Sequence, residues 1–160
     1  MASQAQELAE RLQALNNEMI AFVRGVSEAD WGKSTKAEEW RLGVVARHVG
    51  TGHYSIIELA KMMIAGTPIP GFTQELIAQS NKAHAAKHAN CTREEVLSIL
   101  EAKGRKLVEY VRGLSDADLA KRANLPDFGG DISVKQLFKA TLLHSAAEHL
   151  KSMRDTVTKK

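Results

Sequence analysis

Six histidines occur in 160 residues, and imidazole is the side chain best suited to hold a transition metal or move a proton near neutral pH. His48 falls among Val45, Val49, Gly52 and Leu59. At about 100° per residue it lies inside the apolar sector of a helix, and His53 lies about 140° round from it, toward the sector's edge. A second apolar face is set by Val134, Leu137, Phe138, Thr141 and Leu142. Continued at the same period, that face puts Ser145 near its centre with Glu148 and His149 on either side. His144 stands at the opposite margin from His149, about 140° away. Two i,i+4 pairs therefore compete for the interior, Ser145 with His149 and His144 with Glu148. A lone inward histidine reads as a hydrogen-bonded core residue. Inward histidines on two helices, with Glu148 nearby, read equally well as a shared site. A His-His-Glu set with open positions would suit a divalent transition metal acting as a Lewis acid.

The other candidates carry less. His84 and His88 also stand four apart, but within Lys, Asn and Ala, so they read as an exposed pair that happens to align. Trp31 and Trp40 flank a helix start and should cap the end of a bundle. Met62 and Met63 read as core filler. Asp127 to Asp131, with Gly129 and Gly130 between, reads as a turn, since no strand precedes it as a phosphate loop requires. Cys91, the only cysteine, allows no internal disulfide and reads as a small residue in a loop.

The elements that must position these residues are helices. Four Ser/Thr-x-x-Glu/Gln signatures, Ser3 to Gln6, Thr35 to Glu38, Thr92 to Glu95 and Ser133 to Gln136, each precede a long helical pattern as a capping box does. A first helix is expected from Ser3 to Val26, striped by Leu8, Leu12, Leu15, Met19, Phe22 and Val26. A second is expected from Ala37 to Ala65, broken by the stretch from Gly66 to Gly71, which contains Pro68 and Pro70. A shorter helix follows over Thr73 to Ala89, another over Arg93 to Arg112, a short piece at Asp116 to Lys121, and a last helix over Val134 to Thr156. No period-two strand stands out, although Asn124 to Asp131 could be extended. Four long amphipathic helices cannot bury their stripes singly. The expected architecture is all-α: a four-helix bundle over residues 1–160 as one domain, with an additional short helix and a long crossover connection.

Composition narrows the function. Apolar residues make up 44% and charged residues 26%, with a net charge of +3, and acids and bases alternate rather than cluster. That argues against a nucleic-acid partner. No apolar run approaches the roughly 18 residues of a membrane span, and the N-terminus lacks the order of a signal peptide. The cytoplasm is the expected location.

With these pieces in place, the sequence resembles the DinB-like superfamily of bacterial metal-binding four-helix bundles. The resemblance runs through Trp40 to Val49, Ile77 to His84, Thr92 to Leu97, Leu114 to Leu119 and Leu142 to Leu150. It implies one metal histidine in the second helix and two, four apart, in the last. His48 matches the first, and His149, followed by Leu150-Lys151-Ser152-Met153, matches the last. The middle position falls on Ser145, so His144 or Glu148 would complete the set, or the site would be degenerate and bind no metal. The resemblance also implies cofactors, a divalent transition metal (Zn, Ni or Fe) and a low-molecular-weight thiol such as mycothiol or bacillithiol. The implied activity is a metal-assisted thiol S-transferase or isomerase. The alternative is a non-catalytic small-molecule-binding or stress-related helical protein. A long exposed seam on such a bundle would support a homodimer.

Overall fold

Hydroxyl caps open most of the helices where the sequence puts them. The computed structural model, which describes residues 2–69 and 73–157, begins α1 (Gln4–Gly25) at Ser3 in a complete capping box with Gln6. A four-residue turn, α2 (Glu28–Trp31), follows on Ser27. Thr35 is the exception. Its hydroxyl donates to the Trp40 carbonyl at 3.3 Å, an isolated bridge pairs Ser34 with Arg41, and Glu39 sits at φ 60°. A non-glycine residue in the left-handed region is a local cost that marks a constrained loop. The helix expected from Ala37 therefore starts later, as α3 (Leu42–His48).

Nor is that second rod regular. A π-helical turn, Val49–His53, and a 3-10 turn, Tyr54–Ile56, lead into α4 (Ile57–Ala65). Gly50 and Gly52 weaken the α-helix here. Side-chain hydroxyls also bond to its backbone: Thr51 Oγ1 donates to the Arg47 carbonyl at 3.0 Å and Ser55 Oγ to the Thr51 carbonyl at 2.6 Å. α4 ends at Gly66 in the left-handed conformation. The remainder of the expected break includes residues 70–72, which lie outside the described residues. The crossover carries α5 (Gln74–Lys87), capped by Thr73 and burying none of its residues.

α6 (Arg93–Arg112) starts at Thr92, and α7 (Asp116–Ala120) starts in a Ser115 capping box. Next comes an antiparallel hairpin that sequence periodicity did not reveal, β1 (Arg122–Leu125) and β2 (Gly130–Ser133), in the register Leu125↔Gly130. Its strands are too short for alternation to show. The Gly129-Gly130 turn needs glycine, at φ 107° and 96°. The last rod begins at the Ser133 capping box as α8 (Val134–Phe138), passes through a longer π segment, Lys139–Ala146, and ends as α9 (Ala147–Thr156).

The four rods pack in a ring. α1 lies against α6, α6 against the second rod, the second rod against the fourth, and the fourth back against α1. Met19, Leu100, Leu107, Phe138, Leu142 and Met153 fill the middle. The fold is a four-helix bundle with a short extra helix in its crossover. Inside, the buried Asn16 accepts from Tyr54 Oη at 2.7 Å and donates to the Leu100 carbonyl at 3.2 Å. Gly104 on α6 leaves the room this amide needs. Among the described residues, no helix is long and apolar enough to cross a membrane.

Candidate metal centre

The π turn decides which histidines meet. Its backbone closes i to i+5, as in the Tyr54 N–H to Val49 carbonyl bond, so residues five apart come to lie over one another. His48 and His53 are five apart. Their rings stand 4.8 Å apart between centroids, nearly perpendicular, where an unbroken α-helix would have turned them about 140° from each other. His149, from α9, closes the group at 5.5 Å from His48 and 4.9 Å from His53. One ligand nitrogen from each of the three lies within 4.8 Å of the others.

His144 and Glu148 are not brought into this group. Both are exposed on the far side of the fourth rod, where with His149 they line a separate cleft beside Lys36 and Lys151. Ser145, at the position where the resemblance places a histidine, does face the cluster: His53 Nε2 lies 3.0 Å from Ser145 Oγ. A short side chain at 145 leaves room for the His53 ring.

The surroundings set the charge of each group. Burial pushes His48 down to about 3 and His53 to about 4, with mutual repulsion among the imidazoles adding to it. Both rings are therefore neutral at pH 7, the form that binds metal. Glu38 behaves in the opposite sense. Burial works to raise its pKa, but hydrogen bonds with Ser152, His149 and Thr35 outweigh this and hold the carboxyl below its usual range. The ionised carboxylate accepts from His149 Nδ1–H at 2.7 Å and from Ser152 Oγ–H at 2.6 Å. That contact aims Nε2 away from the carboxylate and toward His48 and His53, the arrangement carboxylates give to metal-bound histidines.

These donors fit a divalent cation. Metal–nitrogen bonds near 2.1 Å would set tetrahedral ligand nitrogens roughly 3.4 Å apart, so nitrogens now within 4.8 Å of one another would draw together on binding. His53 Nδ1 is buried with no partner at full hydrogen-bond geometry, and the ring's one backbone contact is to His48. Three imidazoles with one second-sphere carboxylate form a donor set for Zn, Ni or Fe.

A cleft of about 570 Å³ opens on the triad, walled by Trp40 and by residues of α4, α5, the hairpin and the fourth rod. Trp40 packs edge-on against His48 at 5.4 Å. Gly52 lies beside that ring, and a Cβ there would come within 2.9 Å of His48 Cε1. Met62 lines the cleft and is not core, whereas Met63 is buried. The expectation of an exposed His84–His88 pair does not hold. Both are half-buried, and His84 stands 5.8 Å from His48 with its Nε2 2.8 Å from Arg47 Nη1. Trp31 does pack at the bundle end, donating from Nε1 to the Cys91 carbonyl at 3.1 Å. Burial raises the Cys91 thiol above its usual range, which keeps it protonated.

Residues 12–146 match the family described as the mycothiol maleylpyruvate isomerase N-terminal domain. The chain belongs to that family. No curated protein sequence matches it. Among solved structures, this family member is similar to YfiT from Bacillus subtilis, described as a probable metal-dependent hydrolase with an unusual four-helix bundle topology. The TM-score is 0.76 at 14% identity, covering 96% of this chain and 85% of that one. It is also similar to the sibling lethal factor precursor DfsB (TM-score 0.71, 13% identity, 97% and 95% covered). A variant of the mycothiol-dependent maleylpyruvate isomerase matches at TM-score 0.72 and 12% identity, over all of this chain and 65% of that protein's. At these identities the likeness is one of fold.

Proposed function

We propose that this family member binds one divalent transition metal through His48, His53 and His149 and serves as a metal-assisted thiol S-transferase or isomerase. The observation that carries the reading is the convergence of three imidazole nitrogens within 4.8 Å, one of them locked by Glu38. A bound ion would supply Lewis acidity, deprotonating a low-molecular-weight thiol at neutral pH.

The protein's own groups do the rest. His48 and His53, neutral through burial, offer lone pairs without first shedding a proton. Glu38 holds the Nδ1 proton of His149 and so aims its Nε2 inward. Trp40 and the apolar wall of the cleft exclude water from one side of the triad. Ser145 and Thr141, which line the same cleft, present hydroxyls to a polar group on the substrate. The cytoplasm, where small thiols stay reduced, is the location that suits this chemistry.

Two experiments test the reading. Metal analysis of purified protein should find about one equivalent. His53→Ala should lose it, whereas His144→Ala should retain it; the reverse pattern would refute the ligand set. Conjugation of reactive electrophiles should require both metal and a small thiol. Inactivity across several thiols with metal present would refute the transferase.

A further inference from the structure

The cleft over the triad has a chemical asymmetry along its length. At the inner end are the imidazoles, with the hydroxyls of Ser145 and Thr141. The apolar part of the wall includes Leu59 and Met62 from α4, Ile77 from α5 and Phe128 from the hairpin. At 1.5 Å per residue, Leu59 and Met62 stand about 9 and 14 Å along the rod from His53. The other polar groups on the cleft wall are the Ser55 hydroxyl, the amides of Gln74 and Asn81 and the carboxylate of Glu58. No lysine or arginine lines the cleft among the described residues.

We infer that the substrate's far end, remote from the imidazoles, is uncharged and largely hydrophobic. This rests on the functional reading above and names the substrate class that the site takes. A metal at the triad could accept one carboxylate. A second carboxylate at the far end would meet Leu59, Met62, Ile77 and Phe128, and the one lysine beside it, Lys61, is already paired with Glu58 at 3.4 Å. An anion desolvated there without a countercharge is strongly penalised, whereas an aromatic or alkyl tail gains from burial. Maleylpyruvate, which appears in the name of one structural relative, carries a carboxylate at each end. Among the described residues, no cation lines this cleft to hold the second.

A matched pair of ligands isolates the far end. 4-Phenyl-2-oxobutanoate and 2-oxoglutarate share the same 2-oxoacid head and differ only in a phenyl or carboxylate tail. Calorimetric titration of zinc-loaded and metal-free protein should show the phenyl compound binding at least tenfold tighter in each form. Met62 is only half-buried, so Met62→Arg should fold. It should narrow or invert the preference, since it supplies the missing cation. Equal or tighter binding of 2-oxoglutarate by the unmodified protein, or binding of neither ligand, overturns the inference. A phenyl preference in a protein that takes up no zinc would sink the metal reading and leave the inference standing; zinc uptake with a 2-oxoglutarate preference does the opposite.

Discussion

Replacing Glu38 by Gln tests the least obvious part of the site. The carboxylate is 10% exposed and sits 2.7 Å from His149 Nδ1, with Ser152 Oγ at 2.6 Å on its other oxygen. Gln keeps the shape and can still accept one hydrogen bond, but it removes the charge and turns one acceptor into a donor. A charge-assisted bond contributes about 1.5–3 kcal/mol, against about 1 kcal/mol for a neutral one. The loss at His149 is therefore about 1–2 kcal/mol. That loss falls on the metal-bound state, because a metal bonded to Nε2 makes Nδ1–H more acidic and its acceptor more valuable. The expected effect is about 5–30-fold weaker zinc affinity at 1.36 kcal/mol per tenfold, which overlaps the 10–100-fold effect of second-sphere partners of metal-bound histidines.

Competition against a chromogenic zinc chelator at pH 7.5 reads this directly. Thermal unfolding of the metal-free variant runs alongside, and it should fall by no more than the one weakened bond to α9 implies, about 1 kcal/mol. Long-range proton–nitrogen NMR of His149 should show the Nδ1–H tautomer in the unmodified protein and a mixture in Glu38→Gln. The reasoning fails if Glu38→Gln binds zinc within threefold of the unmodified protein while His149→Ala abolishes binding. In that case Glu38 would serve only to tie the loop before α3 to the last helix.

Two more outcomes follow from the same geometry. Gly52→Ala puts a methyl within 2.9 Å of the His48 ring, so the ring must tilt; zinc affinity should drop at least tenfold with a stability change below about 1 kcal/mol, because position 52 is exposed. The sign of the pH dependence comes from the depressed histidines: the unfolded chain takes up protons near 6.5 and the folded one only near 3–4. Stability of the metal-free protein is thus complete above the unfolded value and lost as pH falls toward the folded ones, by about 2 kcal/mol per histidine at pH 5. Urea unfolding at pH 7.5 and 5 should show this loss, and His48→Gln should reduce it by half; a pH-independent midpoint would refute it.

The helices were legible because their start signals are local. Ser3, Thr92 and Ser133 each meet their partner three residues on, and the structure shows those caps. The same rule misplaced Thr35. Glu38 has the right spacing for a capping box, but its carboxylate goes to His149, 111 residues away, and no short-range pattern carries that information. His53 was set aside for a related reason. A projection at 100° per residue assumes one helical phase, and the π turn at Val49–His53 changes it. The paired glycines at 50 and 52, beside the hydroxyls of Thr51 and Ser55, were the signal that could have flagged the change. His84 was read from its polar sequence neighbours, which say nothing of the second rod that α5 lies against.

The exchange between positions 53 and 145 gives the π turn its meaning. The DinB-like pattern places one imidazole on the second helix and two on the last. This chain has Ser145 where the middle one belongs, and it offers His53 from the opposite rod instead, with Nε2 3.0 Å from the serine hydroxyl. Three imidazoles still converge, but two now come from one rod. In an α-helix, residues five apart could not share a small ion; across a π turn they can. Anything that restores regular α-geometry to Val49–His53 should therefore separate His53 from His48 and unmake the site while leaving the bundle folded.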